Sequence, residues 1–215
     1  MQNGLRITEI FYSLQGEART VGLPTVFVRL TGCPLRCVYC DTAYAFSGGL
    51  MYRQEDVLRE VESYAPRYVT VTGGEPLAQK NCLPLLSALC DSGYEVSLET
   101  SGALDVSEVD PRVVKVLDLK TPASGECERN LYDNLAYLLP QDQVKFVICD
   151  ADDYHWARGM VQQHALVDKI SDVLFSPSHE TLPPAQLAEW ILRDRLPVRF
   201  QVQLHKYLWH DAAGR

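Results

Sequence analysis

The sequence predicts an α/β fold, a partial and open TIM-like barrel of about six parallel strands with helices outside, in one domain over residues 1–215. Three observations predict it. Short runs rich in β-branched and aromatic residues alternate with amphipathic stretches, the pattern of repeated strand–helix units joined by right-handed crossovers. Each apolar run ends in a polar or glycine-bearing motif: Gln15, Cys33, Gly73, Thr100, Lys120, Ser176 and His205 all follow one. Such sheets collect ligands at the C-terminal ends of their strands. Finally, the chain holds too few strand runs for an eightfold closed barrel.

In chain order, residues 7–11 read as a short strand, and Gly16 beyond it lets backbone approach a ligand. Residues 24–30 form the next strand and run straight into a cysteine loop. Arg29 lies inside that apolar run, where a charge rarely goes unpaired. It either snorkels, pairs with Glu17, or grips a ligand carboxylate as a two-pronged fork. Residues 53–64 have helical spacing with Val57, Leu58 and Val61 on one face. Strand 68–72 leads into Gly73-Gly74-Glu75-Pro76, where two absent side chains expose backbone to a ligand and Glu75 either orders the loop or accepts from an ammonium group. Helix 83–90 ends at Gly93, strand 94–98 leads to Glu99-Thr100-Ser101-Gly102, and strand 113–119 leads to Lys120. Helix 130–138, strand 144–149, helix 152–165, strand 172–175, helix 184–192 and a last strand over 198–204 complete the reading, with His205 closing that strand.

The chemistry concentrates in Cys33-Pro34-Leu35-Arg36-Cys37-Val38-Tyr39-Cys40-Asp41-Thr42. The C-x3-C-x2-C spacing aims three thiolates at a common centre. A four-iron, four-sulfur cube held this way keeps one iron free for a small molecule, whereas a zinc knuckle favours paired C-x2-C units or a nearby histidine. The remaining cysteines, Cys82, Cys90, Cys127 and Cys149, have irregular spacing and read as buried small hydrophobes. His155, His164 and His210 show no ligand spacing.

A net charge of −8 offers no basic patch for nucleic acid or an anionic membrane surface. No run is long enough to span a bilayer and no secretory leader is visible at the N-terminus. An odd cysteine count with three in a ligand motif suits a reducing cytoplasm.

The cysteine motif with an aromatic before its last member resembles the radical S-adenosylmethionine (SAM) superfamily. Leu14-Gln15-Gly16-Glu17, Arg29, Cys40-Asp41-Thr42, Thr72-Gly73-Gly74-Glu75-Pro76, Glu99-Thr100-Ser101-Gly102 and His205-Lys206-Tyr207 occur together and in order. That set resembles the 7-carboxy-7-deazaguanine synthases of 7-deazapurine and queuosine biosynthesis. The resemblance implies a lyase that turns 6-carboxy-5,6,7,8-tetrahydropterin into 7-carboxy-7-deazaguanine with loss of ammonia. A reduced [4Fe-4S] cluster would cleave SAM to a 5′-deoxyadenosyl radical that takes the substrate C6 hydrogen and later returns it. It implies Cys33, Cys37 and Cys40 as cluster ligands and Thr42 as a ligand to Mg2+, although Thr42 alone reads as a turn cap. Tyr39, Cys40, Asp41, Gly74, Ser101, Asp118, Leu119, Lys120, Ser176, Pro177, Ser178 and His179 would contact SAM. Leu14, Gln15, Gly16, Glu17, Arg29, Thr72 and His205 would hold the pterin, with Arg29 on its carboxylate. A flavodoxin or ferredoxin would supply electrons, and relatives of this kind are homodimers. Asp118-Leu119-Lys120 departs from the Ser-Pro-Lys form common in the family, and no proline after His205 matches the one near the substrate in relatives. A glycyl-radical activating protein shares the cysteine and glycine loops, and an iron–sulfur electron carrier or zinc module shares the cysteines.

Overall fold

The computed structural model describes residues 4–210, 212 and 214. Residues 1–3, on which part of the N-terminal reading rests, and 211, 213 and 215 of the C-terminal run lie outside the described residues. The strands are β1 (Gly4–Leu14), β2 (Pro24–Leu30), β3 (Leu50–Arg53), β4 (Tyr68–Gly73), β5 (Glu95–Thr100), β6 (Val114–Asp118), β7 (Gln143–Ile148), β8 (Asp172–Pro177) and β9 (Arg199–Phe200). They form one open sheet in the order β3-β1-β2-β4-β5-β6-β7-β8-β9. From β2 onward every neighbouring pair is parallel, as the strand–helix alternation predicts. The first predicted strand departs from that expectation, because β1 runs antiparallel to both β2 and the unpredicted β3. No helix among the described residues is long and apolar enough to cross a membrane.

Period-two alternation divides the sheet into two unlike faces. Val26, Val28 and Leu30, Val69 and Val71, Val96 and Leu98, and Val144, Phe146 and Ile148 point into one large core. Helices α1 (Gln54–Ser63), α2 (Cys82–Asp91), α3 (Ala151–Gln163) and α5 (Pro184–Asp194) cover that face with Val57 and Val61, Leu85, Leu86 and Leu89, Ala157 and Val161, and Leu187 and Ile191. The intervening residues, including Arg29, Thr72, Glu99, Asp118 and Lys145, face a cavity on the concave side. Asp150 caps α3 by accepting from Asp153 N at 2.9 Å.

Two predicted elements take other forms. Residues 130–138 make only a 3₁₀ segment, Tyr132–Tyr137. The stretch is too short to repay α-helix nucleation, and its buried Asn134 instead donates to Gly102 O and Leu104 O and accepts from Val106 N. The last strand shrinks to Arg199–Phe200, and His205 sits in helix α6 (Leu204–Trp209), after the short helix α4 (Leu166–Lys169) and α5. Gln201 N still donates to Phe175 O of β8 at 3.0 Å, and beyond it the backbone turns to the loop that follows β1, where Leu204 N donates to Gly16 O at 2.9 Å and the Gln203 amide to Glu17.

That loop lies where the motif reading did not expect it. Because β1 is antiparallel, its C-terminal Leu14 pairs with Pro24 at the start of β2. Residues 15–23 therefore cross the N-terminal end of the parallel strands and form a floor. Ala18 packs on Val116 and Leu174. Arg19 N donates to Gln143 Oε1 at 2.9 Å and its side chain pairs with Asp172 at 2.8 Å. Gln15 donates to Thr70 Oγ1 at 3.1 Å. The strongest latch is Glu17 Oε2 to Lys145 Nζ at 2.5 Å, with side chains 13% and 14% exposed. Burial opposes the Glu17 charge, but Lys145 and the Gln203 amide outweigh it and hold the carboxyl at about 2 instead of 4.5.

Lys145→Met leaves Glu17 buried without its partner, and at neutral pH it should lower the unfolding free energy by about 3–5 kcal/mol. In the native protein the depressed carboxyl contributes stability above 4.5 that is lost as pH falls toward about 2. In the variant burial acts on Glu17 without the lysine and raises its pKa, so protonation favours the folded variant as pH falls. Urea unfolding at neutral pH and near pH 4.5 should show the gap between the two proteins narrowing. A gap independent of pH would show that the pair contributes nothing ionic.

Candidate active site

A cavity of about 590 Å³ opens at the C-terminal ends of the parallel strands and reaches down to the floor loop. Its size is that of a small-molecule or cofactor site. Cys33, Cys37 and Cys40 all line it as partly buried free thiols. The loop that carries them has no repeating secondary structure, so its neighbours hold it. Gly32 N donates to Ala45 O at 2.7 Å, Glu75 N to Gly32 O at 2.7 Å, and Val38 N to Ser124 O at 3.0 Å. Arg36 reaches back to Cys33 O at 2.9 Å and lies 4.2 Å from the Phe46 ring centre. Burial raises the Cys33 and Cys37 thiols, Cys37 to about 11, against the opposing charge of Lys120.

Whether these residues fit an iron–sulfur group can be judged from their donors. The three thiols share one wall, yet no group of three or more His, Cys, Asp or Glu among the described residues is arranged as a metal-ion site. A zinc ion gathers its ligands around one centre, whereas a cube takes each thiolate on a separate iron. Beside the cysteines the Tyr39 hydroxyl is buried without a hydrogen-bond partner, and its ring centre is 5.8 Å from Lys120 Nζ. An unsatisfied buried hydroxyl in a cavity wall fits a site completed by a bound group.

The glycine loop after β4 packs directly on the cysteine loop. A Cβ on Gly74 would come within 2.4 Å of Gly32 O and 2.7 Å of the Cys33 Cβ, so only glycine fits. Glu75 orders this loop rather than facing a ligand. It is fully buried, and its carboxylate accepts from Leu77 N, Thr100 Oγ1, Ser101 N and Ser101 Oγ at 2.5–3.0 Å.

Alternating charges run down the cavity from beside the cysteine loop. Lys120 Nζ pairs with Asp118 Oδ1 at 3.1 Å, Lys145 with Asp118 Oδ2 at 3.3 Å and with Glu17. Gln203 Nε2 donates to Glu17 at 2.8 Å and Asp41 at 3.3 Å, and Lys206 lies 3.8 Å from Asp41. Burial opposes the charge of both Lys120 and Lys145, and their carboxylate partners outweigh it and raise both. Glu99 is raised by burial and by the nearby Glu17, while donating groups reach it from Gln15 at 3.3 Å and Thr72 at 3.1 Å. His205 is lowered, chiefly by burial, and its Nδ1 lies 2.2 Å from where a Cβ on Gly16 would stand.

Of the residues singled out in the sequence, Leu14, Gln15, Gly16, Glu17, Arg29, Thr72 and His205 line the cavity, as do Tyr39, Asp41, Thr42, Gly74, Ser101, Asp118, Lys120, Ser178 and His179. Leu119, Ser176 and Pro177 are buried and do not line it. Thr42 precedes a 3₁₀ segment, Ala43–Phe46, without capping it through its side chain, so the turn-cap reading fails. Of the four remaining cysteines only Cys82 is fully buried; Cys90, Cys127 and Cys149 are partly exposed. Arg29 pairs through Nε with Glu9 at 2.7 Å rather than with Glu17. The sequence singled out neither Glu9, Tyr44 nor Lys145, and gave Gln203 and Lys206 no role beyond the motif around His205, yet all five line the cavity. For Lys145 the signal was present, since Val144-Lys145-Phe146 alternates with its charge on the face opposite the core.

Residues 27–118 match the model of the Radical SAM superfamily. The 7-carboxy-7-deazaguanine synthase of Koribacter versatilis is 44% identical, over 95% of this chain and 97% of its own. That of Chlorobaculum tepidum is 46% identical, over 98% and 97%. The crystal structure of QueE from Escherichia coli superposes with a TM-score of 0.73 at 24% identity, covering 94% of this chain and 95% of that one. Streptococcus suis SuiB, bound to its precursor peptide SuiA, has a TM-score of 0.60 at 16% identity, covering 80% and 46%. These last two likenesses speak to the fold. On the identity and extent of the first two, the chain belongs to the 7-carboxy-7-deazaguanine synthase family within the radical SAM superfamily.

Proposed function

We propose that this chain converts 6-carboxy-5,6,7,8-tetrahydropterin to 7-carboxy-7-deazaguanine with loss of ammonia, working as one domain. The observation that carries the reading is a single cavity with a three-cysteine loop on one wall and, between that loop and the floor, one arginine among amide, hydroxyl and carboxylate groups. A [4Fe-4S] cluster with SAM supplies the hydrogen-abstracting radical chemistry when bound.

The chain's own residues bind, orient and exclude water. Cys33, Cys37 and Cys40 would hold the cluster. Tyr39, Asp41, Gly74, Ser101, Asp118, Lys120, Ser178 and His179 would contact SAM, and Leu119, Ser176 and Pro177 would act only through backbone. The Thr42 hydroxyl, free of any capping duty, would hold Mg2+ together with substrate and water oxygens, a set suited to a hard cation that keeps its waters. Leu14, Gln15, Gly16, Glu17, Thr72 and His205 would line the pterin. The lowered His205 is neutral near pH 7 and so offers both a donor and an acceptor nitrogen. Arg29, with its side chain 14% exposed, would take the pterin carboxylate. A flavodoxin or ferredoxin would reduce the cluster, and the active form would be a cytoplasmic homodimer.

Anaerobically reconstituted protein should carry iron and sulfide with a four-iron absorption band and should convert the carboxypterin to a 7-deazapurine in the presence of SAM and reductant. Cys37→Ser should lose the band and all turnover. SAM cleavage without a 7-deazapurine product would instead point to a glycyl-radical activating protein, and zinc in place of iron to a binding module. Arg29→Ala should keep the band and the uncoupled cleavage of SAM yet weaken carboxypterin binding by about 2–5 kcal/mol, the cost of truncating one partner of a buried charge pair. Unchanged affinity on calorimetric titration would remove Arg29 from the substrate site.

A further inference from the structure

Glu9 belongs to none of the sequence motifs, yet the fold delivers it to the middle of the cavity wall. Along β1 the register against β2 pairs Ile7 with Leu30, then Glu9 with Arg29, then Ile10 with Val28, with a shift between Ile7 and Glu9. Thr8 is the inserted residue of a β-bulge. Without it, strict alternation would put Thr8 on the side of Arg29 and turn Glu9 toward the core. With it, Glu9 and Phe11 share the cavity face with Phe27 and Arg29, while Ile7 and Ile10 stay against the core. The inserted Thr8 is itself satisfied, its hydroxyl 2.7 Å from that of Thr31. Bulges beside sites commonly re-aim one side chain in this way.

The re-aimed carboxylate grips the arginine at one defined atom. Glu9 Oε1 accepts from Arg29 Nε at 2.7 Å and from the Tyr44 hydroxyl at 2.7 Å. The guanidinium carbon lies 6.0 Å from the Phe11 ring centre and 5.9 Å from that of Tyr44, and Phe11 stacks on Phe27 at 4.9 Å. A guanidinium can hold a carboxylate side-on, through Nε and one Nη, or end-on, through both Nη groups. A carboxylate already on Nε removes the side-on mode.

We propose that Glu9 is a positioning residue for Arg29, fixing the guanidinium so that only its end-on pair of Nη groups is offered to a ligand carboxylate. The site then selects a planar carboxylate arriving along the arginine axis, and Tyr44 keeps Glu9 in place from the solvent side. This inference rests on the reading of Arg29 as the group that takes the pterin carboxylate.

Calorimetric titration of the cluster-loaded protein with the carboxypterin, and with its uncharged 6-carboxamide analogue, tests it. Glu9→Ala should weaken carboxypterin binding about tenfold to a hundredfold, the range for a lost hydrogen bond to a charged group. It should leave carboxamide binding unchanged. Glu9→Gln, whose amide oxygen still accepts from Nε, should restore most of the carboxypterin affinity, and kcat at saturation should move less than KM. If Glu9→Ala and Glu9→Gln bind the carboxypterin as well as the parent or better, Glu9 competes with the ligand and the proposal is wrong. Equal weakening for the carboxypterin and the carboxamide would also overturn it, as a general loss of pocket shape. Arg29→Ala in parallel separates the two readings. If it leaves carboxypterin affinity intact, the role of Arg29 fails first; if it weakens binding and Glu9→Ala does not, only the role of Glu9 fails.

Discussion

The whole arrangement depends on a sheet that does not close. Helices cover only its convex face, so the concave face can afford polar residues, and Thr72, Glu99, Asp118 and Lys145 all project from it. An open, polar concavity would fill with water from both ends. The loop over residues 15–23 stops one end, held by the small Ala18–Val116–Leu174 contact, by Arg19 to Asp172, and by Glu17 to Lys145. The antiparallel turn of β1 is what places this loop at the bottom. The same residues that seal the cavity, Gln15 and Glu17, thereby become its inner lining.

Closing the floor with charges has an electrostatic consequence. A carboxylate and an ammonium at 2.5 Å in a poorly hydrated site stabilise one another only if neighbours satisfy their remaining valences. Asp118 takes Lys145 on one side and Lys120 on the other, and Gln203 completes Glu17. Glu99 stands nearby without an equal share of the ammonium. Burial and then the charge of Glu17 push the Glu99 carboxyl up, while Lys145 holds that of Glu17 down. The wall thus keeps one carboxylate firmly anionic and makes its neighbour easier to protonate, the kind of divergence that marks functional sites.

Much of this could be read from the chain, and what could not follows a physical rule. The cysteine loop, the glycine loop and the segments after β5 and β6 were legible because each is a local motif at the end of a strand with clear alternation. Strand β3, with Leu50 and Met51 exposed, carries no apolar pattern of its own and exists only because β1 pairs with it. The pairing of Arg29 with Glu9 was not visible because a single inserted residue, Thr8, changes which face Glu9 takes, and a bulge leaves no compositional mark. His205 was placed at a strand end because Val198 to Leu204 is apolar enough for one. Gln201 N still bonds to Phe175 O of β8, but Leu204 N bonds to Gly16 O of the floor loop and draws the rest of the segment away from the sheet.

The cysteine loop brings these points together. Inside it one turn bond, Cys40 N to Cys37 O at 3.2 Å, ties two of the cysteines, and with no ladder or helix the loop is otherwise held from outside, through backbone bonds to Ala45, Glu75 and Ser124. Glu75 in turn is fixed by Thr100 and Ser101 of the next strand unit, and Gly74 is glycine because the two loops touch through it. A substitution at Thr100 would therefore disturb the cysteines without touching them. The loop's chemistry is written in three residues, but its geometry belongs to the sheet, and this is why a short C-x3-C-x2-C motif means little until the strands that follow it are in place.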